Sequence, residues 1–449
     1  MKPDRRACRR LCVAGFALAV IAFAPARAQV ETSGPASPRT TRSTSASYAV
    51  VNGHWFDGQR FVSRTWWIVD GTFRSRRPPH VDSLIDLAGA FVVPPFGEAH
   101  NHNVQASARA DALLARYLRD GVFYVKNPNS LPRDRDALAG RVNTPRSIDV
   151  VFANGGITAP GAHPAEIVAR NIARGTWTPA EGEGAFVWSI DDRGSLGRLW
   201  PNILAGRPDF IKTYLLYSEE YAQRRNDTTY GAWKGLDPAL LREIVRRAHV
   251  AGLRVSTHVE TAADFRAALD ARADEINHFP GFRGDEQEQI PADTRVYEVT
   301  DADAARAARQ GTVVVTTLGG FAALDPTGAD SIRRRRADAL ATRNLRTLVR
   351  HGVRLALGSD SYGDTSVGEA LYLNGLGIFS NAALLRLWTE ATPRAIFPNR
   401  RVGVFADRAE ASFLALADDP LADFGNTRHI VLRVKQGQVL TPPPDSHVR

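Results

Sequence analysis

The sequence predicts an α/β fold, a closed (β/α)8 barrel with a small β-sandwich domain built from N- and C-terminal segments, and three observations carry that expectation. Eight short apolar runs, near 92–97, 121–126, 147–153, 209–215, 253–258, 274–278, 312–317 and 353–359, are separated by segments long enough to hold helices. Eight strands over roughly 260 residues match such a barrel in count and length. Strand-like text of a different texture precedes this alternation, in YAVVNGHWFDG and TWWIVDGTFRS, and follows it, in ASFLALADDPL and HIVLRVKQGQVL. An open doubly wound sheet would carry a glycine-rich fingerprint after its first strand, and none is present.

Taken in order, residues 1–28 read as a signal peptide. Arginines precede the uncharged apolar segment LCVAGFALAVIAFA, and ARA at 26–28 offers the small residues a signal peptidase reads. The segment is short for a transmembrane span, so no stable membrane span is expected after its removal, and a periplasmic or secreted location is. Arg5-Arg6 and Arg9-Arg10 leave twin-arginine export open beside the general route. Both cysteines, Cys8 and Cys12, lie here, so the expected mature chain has no disulfide, thiolate or Cys-ligated metal. Residues 29–47 are rich in Ser, Thr and Pro and read as a flexible linker. Segments 48–93 and 400–445 then form the small β domain. In it Asn52-Gly53 and Asp70-Gly71 are expected in tight hairpin turns. Residues 94–399 form the barrel, and DPALLREIVRRAHVAG at 237–252 is typical of its helices, with Asp237 to cap, Pro238 in the first turn and Gly252 to stop.

The net charge of +9 suggests an anionic partner until it is located. The first 28 residues carry +5, leaving 51 Lys and Arg against 47 Asp and Glu in the rest, so a nucleic-acid partner is not expected. The IRRRRAD run at 332–338 reads as one solvated helix face.

The chemistry gathers at strand ends, where barrels of this kind build active sites. His100 and His102 follow the first strand, in VVPPFGEAHNHNVQA. Lys212 sits in RPDFIKTYLLY, His258 ends RVSTHVE, His278 ends EINHFPG, and Asp360 follows RLALGSD. Alternate residues of an extended segment face the same way, so H-x-H points two imidazoles into one space. Imidazole nitrogens with a carboxylate suit Zn²⁺ or a similar divalent ion with positions left for water.

With these residues the sequence resembles the amidohydrolase superfamily, in its imidazolonepropionase-like and prolidase-like branch, over roughly 48–445. HNH at 100–102, DFIK at 209–212, His258, NHF at 277–279, GSD at 358–360, NGGITAPGAHP at 154–164 and the tail from TPRAIF to LALADDPL carry the resemblance. The resemblance implies that His100, His102 and Asp360 hold a deeper metal, that His258 and His278 hold a second, and that Lys212 is carbamylated and bridges two Zn²⁺ ions. It further implies that Asp360 serves as general base and then general acid in hydrolysis of an amide, cyclic amide, peptide or ester bond of a small molecule. Two departures stand out. Glu98 occupies the place where Asp often stands, and Lys126, in VFYVKNPNS, the place where arginine is common.

Lys126 is open to two readings, a contact to a substrate carboxylate or a pair with a buried acid. His163 in the Gly-Pro loop, and Tyr214 and Tyr217 after Lys212, are further substrate-binding candidates beside simple packing roles. His54, His80, His249, His351, His429 and His447 fit no ligand pattern. Two alternatives to the binuclear hydrolase remain: a mononuclear deaminase or lactonase with unmodified Lys212, and an inactive binding protein. The sequence leaves substrate and oligomeric state open.

Overall fold

The structure is a computed structural model that describes residues 47–281, 294–319, 327–328 and 330–441. The expected signal peptide, all of the linker but Ser47, and His447 lie outside the described residues. Strands from both ends of the chain hydrogen-bond into one eight-stranded sheet in the order Gln438–Leu440, Ile430–Lys435, Phe413–Leu416, Phe91–Val93, Tyr48–Phe56, Phe61–Val69, Thr72–Arg74, with Ser83–Asp86 also paired to Tyr48–Phe56. Trp55, Trp66, Phe73 and Phe413 build a core of their own on it.

One expectation fails here. Asp70-Gly71 does turn, with φ of 52° and 66°, but Asn52-Gly53 lies inside the strand Tyr48–Phe56, where the pairing shifts register as a bulge. A Cβ on Gly53 would come within 2.5 Å of Leu87, so glycine is required by close packing. The hairpin turn falls at Asp57–Arg60, where the Asp57 carboxylate accepts the N–H groups of Gln59 and Arg60, both at 2.9 Å.

The middle of the chain supplies eight parallel strands close to their predicted positions: β1 (Phe96–Glu98), β2 (Val122–Asn127), β3 (Asp149–Phe152), β4 (Ile211–Tyr214), β5 (Val255–His258), β6 (Glu275–Asn277), β7 (Val313–Val315) and β8 (Arg354–Ala356). β1–β3 form one parallel sheet; β4–β8 form another, extended by Gly156–Thr158 and Val187–Ser189. These two extra strands occupy a segment expected as loop. Hydrogen bonds link the sheets: Ala99 N–H donates to Leu357 O at 2.8 Å, Asp360 N–H to His100 O at 2.8 Å, and Asp209 N–H to Phe152 O at 2.8 Å.

The helix Pro238–Val250 follows its sequence signals. The Asp237 carboxylate accepts the Ala239 N–H at 2.8 Å, Leu240, Leu241, Ile244, Val245 and Ala248 are its buried residues, and Gly252 takes a φ of 72° just beyond it. Among the described residues no helix is long and apolar enough to cross a membrane.

Candidate metal centre

Beyond the C-terminal strand ends lies a cavity of about 790 Å³ whose walls include His100, His102, Lys212, His258, His278 and Asp360. The local reasons are readable in GSD. A Cβ on Gly358 would meet the His100 backbone N at 2.8 Å, so only glycine lets the segment after β8 approach the histidine pair. Ser359 fixes Glu98 from behind, its N–H and Oγ donating to the two carboxylate oxygens, each at 2.8 Å. Asp360 then sits at φ +50° and His278 at φ +73°, left-handed conformations that non-glycine residues adopt at a cost and that cluster at functional sites.

The Asp360 Oδ1 lies 3.3 Å from His102 Nε2 and 3.7 Å from His100 Nε2. The ring centroids of His100 and His102 are 5.3 Å apart, those of His100 and His278 4.7 Å, and those of His258 and His278 4.4 Å. His100, His278 and Asp360 each offer an atom within 4.8 Å of the other two. This trio takes His278 from the set that the resemblance assigns to the second ion. His278 Nδ1 is held by Thr317 Oγ1 at 2.6 Å and His102 Nδ1 faces Asn129 O at 3.3 Å, which orients both rings.

The donor set fits a divalent cation. Burial pushes His100 well below the ordinary imidazole value and His102 down to about 4, so both rings are neutral and keep a lone pair at pH 7. Buried His100 Nδ1 has no hydrogen-bond partner, an unmet need that a ligand bond would satisfy.

Lys212 is 1% exposed, and burial depresses its amine to about 7. Its Nζ donates to Asn277 Oδ1 at 2.6 Å. Beneath it a buried polar column runs away from the cavity. Ser256 Oγ lies 2.7 Å from Asn277 Oδ1 and 2.8 Å from Glu275 Oε1, and Asn277 Nδ2 donates to the same Glu275 oxygen at 2.9 Å. Lys126 Nζ reaches that oxygen at 2.7 Å, so the structure puts Lys126 in an ion pair below the cavity.

Of the substrate-binding candidates, His163 and Tyr214 face the cavity. His163 Nδ1 pairs with Glu166 Oε1 at 2.6 Å, and the Tyr214 hydroxyl accepts from Asn129 Nδ2 at 2.7 Å. Tyr217 is not among the lining residues. The strand ends at Tyr214, Tyr217 turns at φ +53°, and its ring sits 3.7 Å beneath the Arg224 guanidinium. Sequence reasoning missed Asn129, Ser256, Glu275, Asn277 and Thr317 as supports of the site. Asn277 and Glu275 share the alternation of β6, the one signal that could have found them. His80, His249, His351 and His429 form hydrogen bonds with Asp82, Asp274, Asp301 and Asp418.

No protein-family model matches the chain, and no curated protein matches it in sequence. Solved structures do match in fold. An amidohydrolase aligns at 19% identity with a TM-score of 0.68, covering 89% of this chain and 100% of its own. The ochratoxinase of A. niger aligns at 15% identity with a TM-score of 0.69, covering 88% and 95%. A prolidase complexed with N-methylphosphonate-L-proline aligns at 17% identity with a TM-score of 0.67, covering 89% and 100%. The chain therefore has the fold of the amidohydrolase and prolidase structures on which it superposes.

Proposed function

We propose that the chain is an exported metal-dependent hydrolase that cleaves an amide, cyclic-amide or peptide C–N bond of a small molecule. One observation carries this reading: four histidines, Lys212 and Asp360, from β4, β5 and the segments after β1, β6 and β8, face one cavity. The names of the superposing structures, an amidohydrolase, an ochratoxinase and a prolidase, agree with it. The reading takes the two parallel sheets as arcs of one closed (β/α)8 barrel at 94–399. The terminal sheet at 48–93 and 400–445 is taken as a β-sandwich domain, and residues 1–28 as an export signal that delivers the chain to the periplasm or medium.

Two Zn²⁺ ions would be held by His100, His102, His258, His278 and Asp360, together with a carbamylated Lys212. A lysine amine with a value near 7 is largely unprotonated just above neutrality. Its lone pair can attack CO₂, releasing one proton and giving the N-carboxylate. The ions, when bound, supply an acidified water and an electrophile for the scissile carbonyl. Asp360 accepts the proton of that water and returns it to the leaving nitrogen. Tyr214, whose phenol burial holds protonated, and His163 on the same wall can orient the carbonyl or the leaving group.

The tight trio of His100, His278 and Asp360 favours a second reading, a mononuclear deaminase or lactonase with unmodified Lys212. Metal content per chain, measured on protein made without residues 1–28, separates the two. Two equivalents with bicarbonate-dependent loading support the bridged site, one equivalent supports the trio, and none after reconstitution sinks both.

A further inference from the structure

At the opposite, N-terminal ends of β5–β8 a second and larger cavity, of about 1060 Å³, opens to solvent. Its walls carry five arginines, Arg254, Arg272, Arg354, Arg386 and Arg394, against two acids, Asp274 and Glu390. Both acids already have partners: Asp274 Oδ2 accepts the Val255 N–H at 2.8 Å and lies 2.9 Å from His249, and Glu390 pairs with Arg394 at 2.9 Å. Arg254 donates to Ala395 O at 2.8 Å. Among the described residues, Arg272 and Arg354 have no carboxylate within ion-pair distance. The Arg354 guanidinium lies over Gly311, where a Cβ would touch its Nη1 at 3.5 Å.

Helix ends supply most of the answer but not all of it. Helices Pro238–Val250, Ala262–Ala271, Asp301–Gln310, Ser331–Arg350 and Thr392–Ile396 all finish beside this cavity. Each C-terminus presents about half a negative charge. Five such ends and two carboxylates sum to about −4.5 against five guanidiniums, so the charge is nearly matched overall, and among the positive groups left without a carboxylate partner are Arg272 and Arg354. The wall also carries apolar side chains, among them Phe379, Leu387 and Val349, the last 40% exposed. Guanidiniums without a carboxylate beside apolar side chains match a ligand with an anionic head and an apolar body.

We propose that this cavity is a second ligand site, separate from the histidine cluster, for an organic anion of that kind: a carboxylate, sulfonate or phosphate monoester carried on an aromatic or aliphatic group. The inference does not depend on the hydrolase reading, because no residue of the cluster takes part.

The test uses 8-anilinonaphthalene-1-sulfonate titrated calorimetrically into protein lacking residues 1–28. One saturable site per chain is expected, with affinity falling as salt is raised. Arg272→Ala/Arg354→Ala should weaken binding at least tenfold while metal content and melting temperature hold, since both side chains are exposed. Arg354→Gln alone gives a smaller loss and guards against a folding artefact in the double variant. Competition by octanoate but not benzoate identifies an aliphatic, lipid-derived anion, and the reverse an aromatic one. An affinity unchanged in the double variant overturns the proposal. So does a loss caused instead by Arg170→Ala, in the upper cavity wall.

Discussion

Two buried ion networks in this molecule are built from the same residue types and behave oppositely. The first lies between the terminal sheet and β3. Asp149 accepts from Arg400 and Lys435, each at 2.7 Å, and Glu410 accepts from Arg400 at 2.6 Å, Ser412 at 2.8 Å and Tyr124 at 3.0 Å. Two cations meet two anions. Burial alone would raise Glu410, yet Arg400 and these hydrogen bonds hold it below its ordinary value. The second network is the site column, where Glu275 pairs with Lys126 and its Oε2 has no hydrogen-bond partner, while Lys212 donates only to the neutral Asn277 amide oxygen. There burial displaces Lys212 to about 7 and His102 to about 4. A buried cation in contact with a carboxylate is held in an ion pair and joins elements; one without such a contact sheds its proton and is left ready to take a ligand.

The largest expected effect comes from exchanging one carboxylate in each network. Asp360→Asn should cut turnover by about 10²- to 10⁴-fold, the usual contribution of a positioned acid–base group, and leave the melting temperature nearly unchanged. Asp149→Asn should do the reverse, lowering the melting temperature while folded molecules keep their turnover. Steady-state rates and thermal melts on the two variants check both. If Asp360→Asn retains full activity, the contrast collapses.

The next effect separates the lysines. Lys126→Met strips Glu275 of its ion-pair partner in the buried column, which should cost about 3–5 kcal/mol in denaturant unfolding. Lys435→Met should cost less, because Asp149 keeps Arg400 at 2.7 Å. The double change Lys126→Met/Glu275→Leu should recover most of the lost stability but load metal poorly, since Asn277 then loses the carboxylate that holds it beneath Lys212. Normal metal content in that variant would show that the column serves packing alone.

These networks also mark how far the sequence could be read. The eight parallel strands and the polar residues that line the upper cavity were legible because an apolar run ending in His, Lys or Asp signals both a strand and its C-terminal end. Asp237, Pro238 and Gly252 were legible because capping is local. The Asn52-Gly53 bulge was not, because a dipeptide that accepts positive φ serves a turn and a bulge equally, and Leu87, 34 residues away, decides between them. Neither was the Lys126–Glu275 pair, whose partners stand 149 residues apart and meet only where β2 faces β6. Tyr217 was drawn into the candidate set as a hydroxyl donor close after Lys212, but the strand ends at Tyr214 and the chain turns away before it.

The smallest expected effect is the most discriminating, because Glu98, behind the histidine pair, and Glu410, in the sheet network, should respond to pH with opposite signs. Glu98 lies behind the ligand pair, and burial raises it from 4.5 to about 8. In the metal-free folded chain it stays protonated to about pH 8, whereas in the unfolded chain it ionises above 4.5. The folded state therefore holds the extra proton between those limits. Stability is full below pH 4.5 and declines as pH rises toward 8, by at most about 1.4 kcal/mol per unit. Glu410 is displaced the other way. Its contribution is full above its ordinary 4.5 and is lost as pH falls through the lowered folded value. Against Glu98→Gln, metal-stripped wild type should thus lose ground from pH 5 to 8. Against Glu410→Gln it should lose ground only in acid. Urea unfolding of the three proteins across pH 3–8 reads both slopes. A common sign would mean that the site carboxylate is neutralised by a cation as the sheet carboxylate is, and that the contrast between them is absent.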